Sequence, residues 1–255
     1  LGLPTPAERG RLYRNRRDGT FEDVTRAMGL YRVVPAMGHN FGDLDNDGWL
    51  DVYLATGNPD LAALVPNRMF RNAEGKQFQD VTSAGNFGHL QKGHAVAFGD
   101  LDNDGDQDVY SQMGGAYSAD RTHSMLYENP GTTNRWVGLD LEGTRTNRKA
   151  VGARIEVIVD GKQGRRSLHR VVSTGGSFGV SPHRQHVGLG DARRIVAVRV
   201  YWPVSGKTQT FDGLEPGRWY RLREGTPAAR AFTAPRFVLG AGGALAAGHQ
   251  HPRRR

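Results

Sequence analysis

Two stretches of the 255-residue chain hold more carboxylates than a turn requires. "FGDLDNDGWLDVY" places Asp43, Asp45, Asp47 and Asp51 within nine positions, and "FGDLDNDGDQDVY" repeats the arrangement with Asp100, Asp102, Asp104, Asp106 and Asp108. Read as D-x-D-N-D-G-x-x-D, each loop offers side-chain oxygens at positions 1, 3, 5 and 9, a glycine for a sharp turn at position 6, and a backbone carbonyl at position 7. Carboxylates this close repel unless a cation cancels their charge, and calcium takes about six to eight oxygens at ~2.3–2.6 Å. The spacing predicts two Ca2+ sites. The first uses Asp43, Asp45, Asp47 and Asp51 with the carbonyl of Trp49; the second uses Asp100, Asp102, Asp104 and Asp108 with the carbonyl of Asp106, whose own side chain is peripheral. Position 12 is Leu54 or Ser111, where an EF-hand needs a bidentate glutamate, so the position-9 aspartates must close the shell. Magnesium fits less well because it demands a stricter octahedron and keeps waters. Turn chemistry alone accounts for one or two Asp or Asn residues per loop, not for a whole ligand set written twice.

The elements that position these loops recur with them. Asp43 and Asp100 are 57 residues apart, and the same offset relates "LYRNRRDGTFEDVT" from Leu12 to "MFRNAEGKQFQDVT" from Met69; "LYENPG" from Leu126 begins a third copy. Such a unit cannot bury its apolar face alone and must stack on its neighbours. Short runs such as "TFEDV" and "LDVYLAT", separated by Gly, Asp and Asn, predict strands. Helical periodicity is weak, with its best candidate at "DLAALV", residues 60–65.

The chain divides by charge, with a net −5 over residues 1–135 and +13 over 136–255, together the +8 of the whole. "RIEVIV" sets Ile155, Val157 and Val159 on one face and "IVAVRVYW" alternates from Ile195, which predicts a compact β-domain with its arginines turned to solvent. The expected domains are 1–133, two complete repeats and the start of a third; 134–225, the basic β-domain; and 226–255, a low-complexity, disordered tail. The absence of cysteine excludes disulfides and thiolate chemistry. No apolar run approaches the roughly 20 residues that span a bilayer as a helix.

The repeat "FGDLDNDGxxDxY", preceded by "LYRNxxDGTFxDVT", resembles the FG-GAP/VCBS repeats of integrin-alpha-like β-propellers, and residues 134–214 resemble the ASPIC/UnbV domain that follows such repeats in cartilage acidic protein and its bacterial relatives. The resemblance implies an all-β fold, partial propeller blades followed by a compact ASPIC/UnbV-type domain, with calcium held between blade strands. Propellers close with about four to eight blades. Two units cannot close a ring, so further blades are expected upstream or on another chain.

"GGSFG" fits the hydrolase pattern G-x-S-x-G at Ser177, but the polar stretch "VSPHRQHVGLG" follows where a nucleophile elbow needs a helix. His89 with His94, and His183 with His186, lack a third ligand and read as turn or packing histidines; His249 and His251 lie in the tail. Trp136, Trp202 and Trp219 sit in strand-like runs and read as core, which disfavours nucleic acid as a partner. The function expected is a non-enzymatic, calcium-binding interaction or adhesion module, extracellular, periplasmic or on a cell surface, with a protein or glycan partner. The alternatives are an enzyme or accessory protein of a biosynthetic pathway, as UnbV-like domains suggest, and a polyanion-binding module that uses the basic domain. If the two regions are independent, Asp45→Ala and Asp102→Ala each remove one site and leave the second domain folded.

Overall fold

The structure is a computed structural model that describes residues 10–239, apart from 33, 58–63, 116, 119, 121, 163 and 177. Among them every regular element is a strand. The helical candidate at 60–65 lies mostly outside the described residues, and Leu64 and Val65 are irregular. No described helix is long and apolar enough to cross a membrane.

The described residues of the repeat region build three sheets. β1 (Tyr13–Asn15) pairs with β2 (Phe21–Asp23); β3 (Ala36–Gly42), β4 (Asp51–Thr56), β5 (Arg68–Ala73) and β6 (Gln77–Asp80) form an antiparallel four-stranded meander; β7 (Gly93–Gly99), β8 (Asp108–Met113) and β9 (Met125–Tyr127) form a three-stranded one. These are partial propeller blades. The two larger sheets are out of phase with the sequence repeat, since each begins at the strand before an acidic loop and closes with opening residues of the next copy, while β1 and β2 are the opening strands of the first copy. Thus "LYENPG", the start of a third copy, supplies through β9 the edge of the second unit's sheet. The blades stack face to face: Tyr53, Ala55 and Met69 of one pack on Val96, Phe98 and Val109 of the next, while Val52, Phe70 and Phe78 pack on Val24 and Met28.

Gly42 before the first loop and Phe98 before the second follow from this stacking. A Cβ on Gly42 would lie 2.1 Å from the ring of Phe98, a side chain with no exposed surface, so glycine is what lets the second blade's phenylalanine cross the first blade's backbone. Gly42→Ala is expected to destabilise the protein by about 1–3 kcal/mol through overpacking, read as a lowered Tm. Gly99→Ala should cost less, because its nearest contact is Pro182 at 3.2 Å. Equal effects at the two glycines would contradict this account.

The remaining strands form two four-stranded sheets around one core. β10 (Arg135–Glu142) lies between β13 (Gln185–Gly190) and β16 (Trp219–Arg223), with β17 (Arg230–Phe232) at the edge; β11 (Arg154–Gly161) lies between β12 (Gly164–Val171) and β14 (Arg194–Trp202), with β15 (Lys207–Phe211) outermost. All pairs are antiparallel except β10 with β16. The inward residues Ile155, Val157 and Val159 are buried as their alternation predicts. On β14 a register shift interrupts the alternation, so the buried set is Ile195, Ala197, Val198, Val200 and Trp202.

The expected tail needs a correction in its first part. Arg230–Phe232 add a strand to β16, where Phe232 pairs with Trp219 and the Arg221 guanidinium lies 5.5 Å from the Phe232 ring. Beyond it, Asn103 donates to the Pro235 carbonyl and Phe237 N–H donates to the Asp102 carbonyl. A few apolar and arginine side chains sufficed to dock a segment whose composition alone reads as unstructured. Residues 240–255, with His249 and His251, lie outside the described residues.

Candidate metal centre

Each acidic loop joins the first two strands of a blade, β3 to β4 or β7 to β8. Its shape is fixed locally and identically in the two copies. Asn46 and Asn103 take left-handed conformations (φ 55° and 62°), followed two residues on by Gly48 and Gly105 (φ 95° and 105°). Asparagine tolerates that region and glycine enters it freely, which explains the "DNDG" core. Inside the turn the aspartates accept backbone hydrogen bonds in register. Asp43 Oδ2 accepts from Gly48 N at 3.1 Å and Asp100 Oδ2 from Gly105 N at 3.2 Å; Asp45 and Asp102 accept from the amides two residues on, as do Asp47 and Asp104.

Three carboxylates converge in each loop. One oxygen each from Asp43, Asp45 and Asp47 lie within 4.8 Å of one another, as do those of Asp100, Asp102 and Asp104. Asp43 Oδ1 and Asp100 Oδ1 are buried and have no hydrogen-bond partner. Asp51 and Asp108 stand outside these triplets. Both oxygens of each accept backbone amides, Leu44 N at 2.9 Å and Asn72 N at 2.7 Å for Asp51, Leu101 N at 3.0 Å and Asn129 N at 2.9 Å for Asp108. The position-9 aspartate therefore ties its loop to the next strand of its own blade. Trp49 N donates to Asp47 Oδ1, and its indole packs on Gly75, where a Cβ would come within 2.5 Å. The Asp106 side chain accepts from Asn46 Nδ2 at 2.7 Å, joining the two loops.

Burial governs the electrostatics. It pushes the Asp43 carboxyl up to about 7, against the pull of Arg170, and Asp51 up to about 8. Asp100 and Asp106 rise to about 6, from burial first and then from Asp104. Carboxylates held this way are costly to ionise without a cation.

Family models agree with this architecture. Residues 4–54 and 55–111 match an FG-GAP-like repeat, and residues 143–229 match ASPIC and UnbV. The chain is an FG-GAP-like repeat protein with an ASPIC and UnbV domain. No curated protein matches it. β10, just before the matched ASPIC and UnbV residues, belongs to the same sheet as β13 and β16.

The two FG-GAP loops differ in what surrounds them. The first is embedded against the ASPIC and UnbV domain: Arg170 Nη2 donates to Asp43 Oδ2 at 3.1 Å, Gly188 N donates to the same oxygen, and Arg166 Nη2 donates to the Asp47 carbonyl at 2.7 Å; from its own blade, Arg71 on β5 pairs with Asp45 and Asp47. Asp43 has no exposed surface and the Arg170 side chain is 8% exposed. The second loop is bonded on its carbonyls instead, by Arg236 to Asn103 and Asp104. Among the described residues no lysine or arginine pairs with Asp100, Asp102 or Asp104, whereas Asp43, Asp45 and Asp47 all have such a partner.

Sequence reasoning missed these bridging residues. Asn46 links both loops and the second domain at once, donating to the Gly105 carbonyl and Asp106 and bonding His186 Nε2 through Oδ1 at 2.7 Å. Gln107 accepts from Asp43 N at 2.7 Å. The fourth position of the loop motif was the available signal for Asn46; nothing in the sequence pairs Arg170 or His186 with a loop more than 120 residues away. His89 lies in an irregular segment and accepts from Gln91 N, and His94 lies near the start of β7 and bonds the Gly114 carbonyl. His186 is buried, which pulls its pKa down to about 3, and it stacks on Trp136 at 5.3 Å. Trp202 and Trp219 are buried. Ser177 lies outside the described residues.

Proposed function

We propose that the chain is a non-enzymatic, calcium-stabilised interaction module that works outside the cytosol. The observation that carries this reading is the pair of carboxylate triplets, each with a buried oxygen that no donor satisfies. The donor set is all oxygen, as a hard cation requires, and a carboxylate oxygen that accepts one amide keeps a lone pair for an ion. Asp43, Asp45 and Asp47 would hold the first ion with Asp51 and the Trp49 carbonyl; Asp100, Asp102 and Asp104 would hold the second with Asp108 and the Asp106 carbonyl. Calcium would supply charge neutralisation, and the chain's own residues carry that to the fold: Asp51 and Asp108 through the next strand, Asn46 and Asp43 through the second domain. Extracellular calcium modules bind at ~10⁻⁴–10⁻³ M, an affinity filled outside cells and not in cytosol. The bound partner would be a protein or glycan recognised by the blade and domain surfaces. A broad polyanion surface is the weaker reading, because Arg165 and Arg194 pair with Asp160, Arg199 with Glu156 and Arg221 with Asp140.

Calorimetric titration of EDTA-stripped protein with calcium tests the reading. Two sites are expected, with the second loop tighter by about tenfold, because the arginines on the first loop already offset part of its charge. Asp102→Asn should remove the tighter site and Asp45→Asn the weaker. No heat and no change in Tm up to several millimolar calcium would end the calcium reading.

A further inference from the structure

Asn46 and Asn103 hold the same place in the two acidic loops and the same left-handed backbone, yet their side chains go to different neighbours. Asn46 is fully buried. Its Nδ2 donates across to the second loop, to the Gly105 carbonyl at 3.0 Å and to Asp106 Oδ1 at 2.7 Å, while its Oδ1 bonds His186 Nε2 and its carbonyl accepts from Gly190 N, both at 2.7 Å. The second loop reaches back through Gln107, whose Oε1 accepts from Asp43 N at 2.7 Å. Asn129 adds to the seam by donating to the Leu44 and Gln107 carbonyls. Asn103 turns away instead, donating to the Pro235 carbonyl and accepting from Arg184.

These bonds fall on the groups that shape the carboxylate triplets. Asp43 opens the first triplet, Gly105 N is held by Asp100 of the second, and Gln107 stands between Asp106 and Asp108. A shift of either loop therefore breaks bonds to the other. Removing the Asn46 amide would strand the Gly105 carbonyl and His186 Nε2 at buried positions, which makes the seam costly to open. Two loops that order together share the entropy of ordering, so whichever closes second gives up less for it. Asn46 is neutral and stands outside the ligand set. Repulsion between two divalent ions acts with or without its side chain, so what Asn46 contributes is position alone.

We propose that Asn46 is a positioning residue that couples the two calcium sites, so that filling the second loop tightens the first. This role rests on the calcium reading above. The two loops then act as one unit, and the second domain feels both through Gly190 and His186. Gln107 supports the coupling from the other side, and leucine already occupies its loop position at Leu50.

Calorimetric calcium titration of the full chain reads the coupling as a ratio: the affinity of the first loop with the second filled, over its affinity in Asp102→Asn, where the second is disabled. Asn46→Gly keeps the left-handed turn and deletes the amide, and the ratio should fall at least about fivefold. Gln107→Leu should lower it in the same direction, which keeps the test decisive if Asn46→Gly folds poorly. Asn103→Gly makes the same change in the second loop and should leave the ratio as it was. In Asp45→Asn, whose first loop is disabled, calcium on the second loop should still slow amide exchange at Gly190, the donor to the Asn46 carbonyl. Calcium binding with an unchanged ratio in Asn46→Gly and Gln107→Leu, with an equal fall in Asn103→Gly, or with Gly190 exchange that calcium does not alter, would overturn the coupling alone. No calcium binding by any form would overturn the calcium reading, and the coupling with it.

Discussion

Stripped of divalent cations, the protein should lose stability as pH rises from about 6.5 to 8.5, and calcium should flatten or reverse that trend. The first effect comes from Asp43 and Asp51, whose carboxyls burial raises to about 7 and about 8. Unfolded, both titrate near 4. Between those limits the folded state binds more protons than the unfolded one, so unfolding releases protons and stability falls with pH. The stabilisation is complete below the unfolded pKa and is lost as pH climbs through the folded values. His186 acts in the opposite sense: buried neutral, with its pKa pulled down to about 3, it makes stability rise with pH until the unfolded imidazole has titrated near 6.5. Above that pH it adds no slope, which is why the window begins there.

Two such carboxylates amount to a loss on the order of 2 kcal/mol across the window, or roughly 4–8 °C in Tm for a chain of this size. Calcium binds only the ionised carboxylates, so its contribution grows with pH. Thermal unfolding in EDTA and in millimolar calcium, at half-unit pH steps, reads both. A flat EDTA profile would mean that Asp43 and Asp51 ionise in the fold without cost, and the loops would then need no cation.

Arg170→Ala should be the most damaging single substitution outside the hydrophobic cores. It leaves Asp43, which has no exposed surface, without its guanidinium partner. At pH above about 8, where Asp43 is ionised, removing one member of a buried pair costs about 3–5 kcal/mol, because the remaining charge is stranded; nearer neutral pH Asp43 takes up a proton and the cost is smaller. The Asp43 neighbours Gly188 and Gln107 belong to the other domain and the other loop, so the loss also loosens the junction between repeats and second domain. Scanning calorimetry should show a lower Tm and a single transition splitting into two. Asp43→Asn in the same background should recover part of the loss, since the amide has no charge to strand, and the double-mutant cycle should give a coupling of about 1–3 kcal/mol. Additive effects would show that the pair contributes nothing as a pair. The same contacts bear on the expectation of independent domains: Asp102→Asn touches only the second loop, whereas changes at Asp43 reach Arg170 and β13 directly.

Much of this protein is legible in its sequence because the relevant physics is local. The 57-residue offset, the β-period alternation of Ile155, Val157 and Val159, and the left-handed Asn and Gly of each loop depend on a few neighbouring residues, and those neighbours are adjacent in the chain. For the same reason the convergence of Asp43, Asp45 and Asp47, and of Asp100, Asp102 and Asp104, follows from one tight turn. What the tertiary structure alone decided is everything that crosses between elements. It placed Arg170 on Asp43 and left Asp100 without a basic partner among the described residues, although the two loops read almost identically. It shifted the two larger sheets out of phase with the repeat, docked Arg230–Phe232 beside Trp219, and joined Asn46 to the second loop and to His186. Those contacts join residues far apart in sequence, and their geometry is set by how two sheets and three blades pack, which no local pattern encodes.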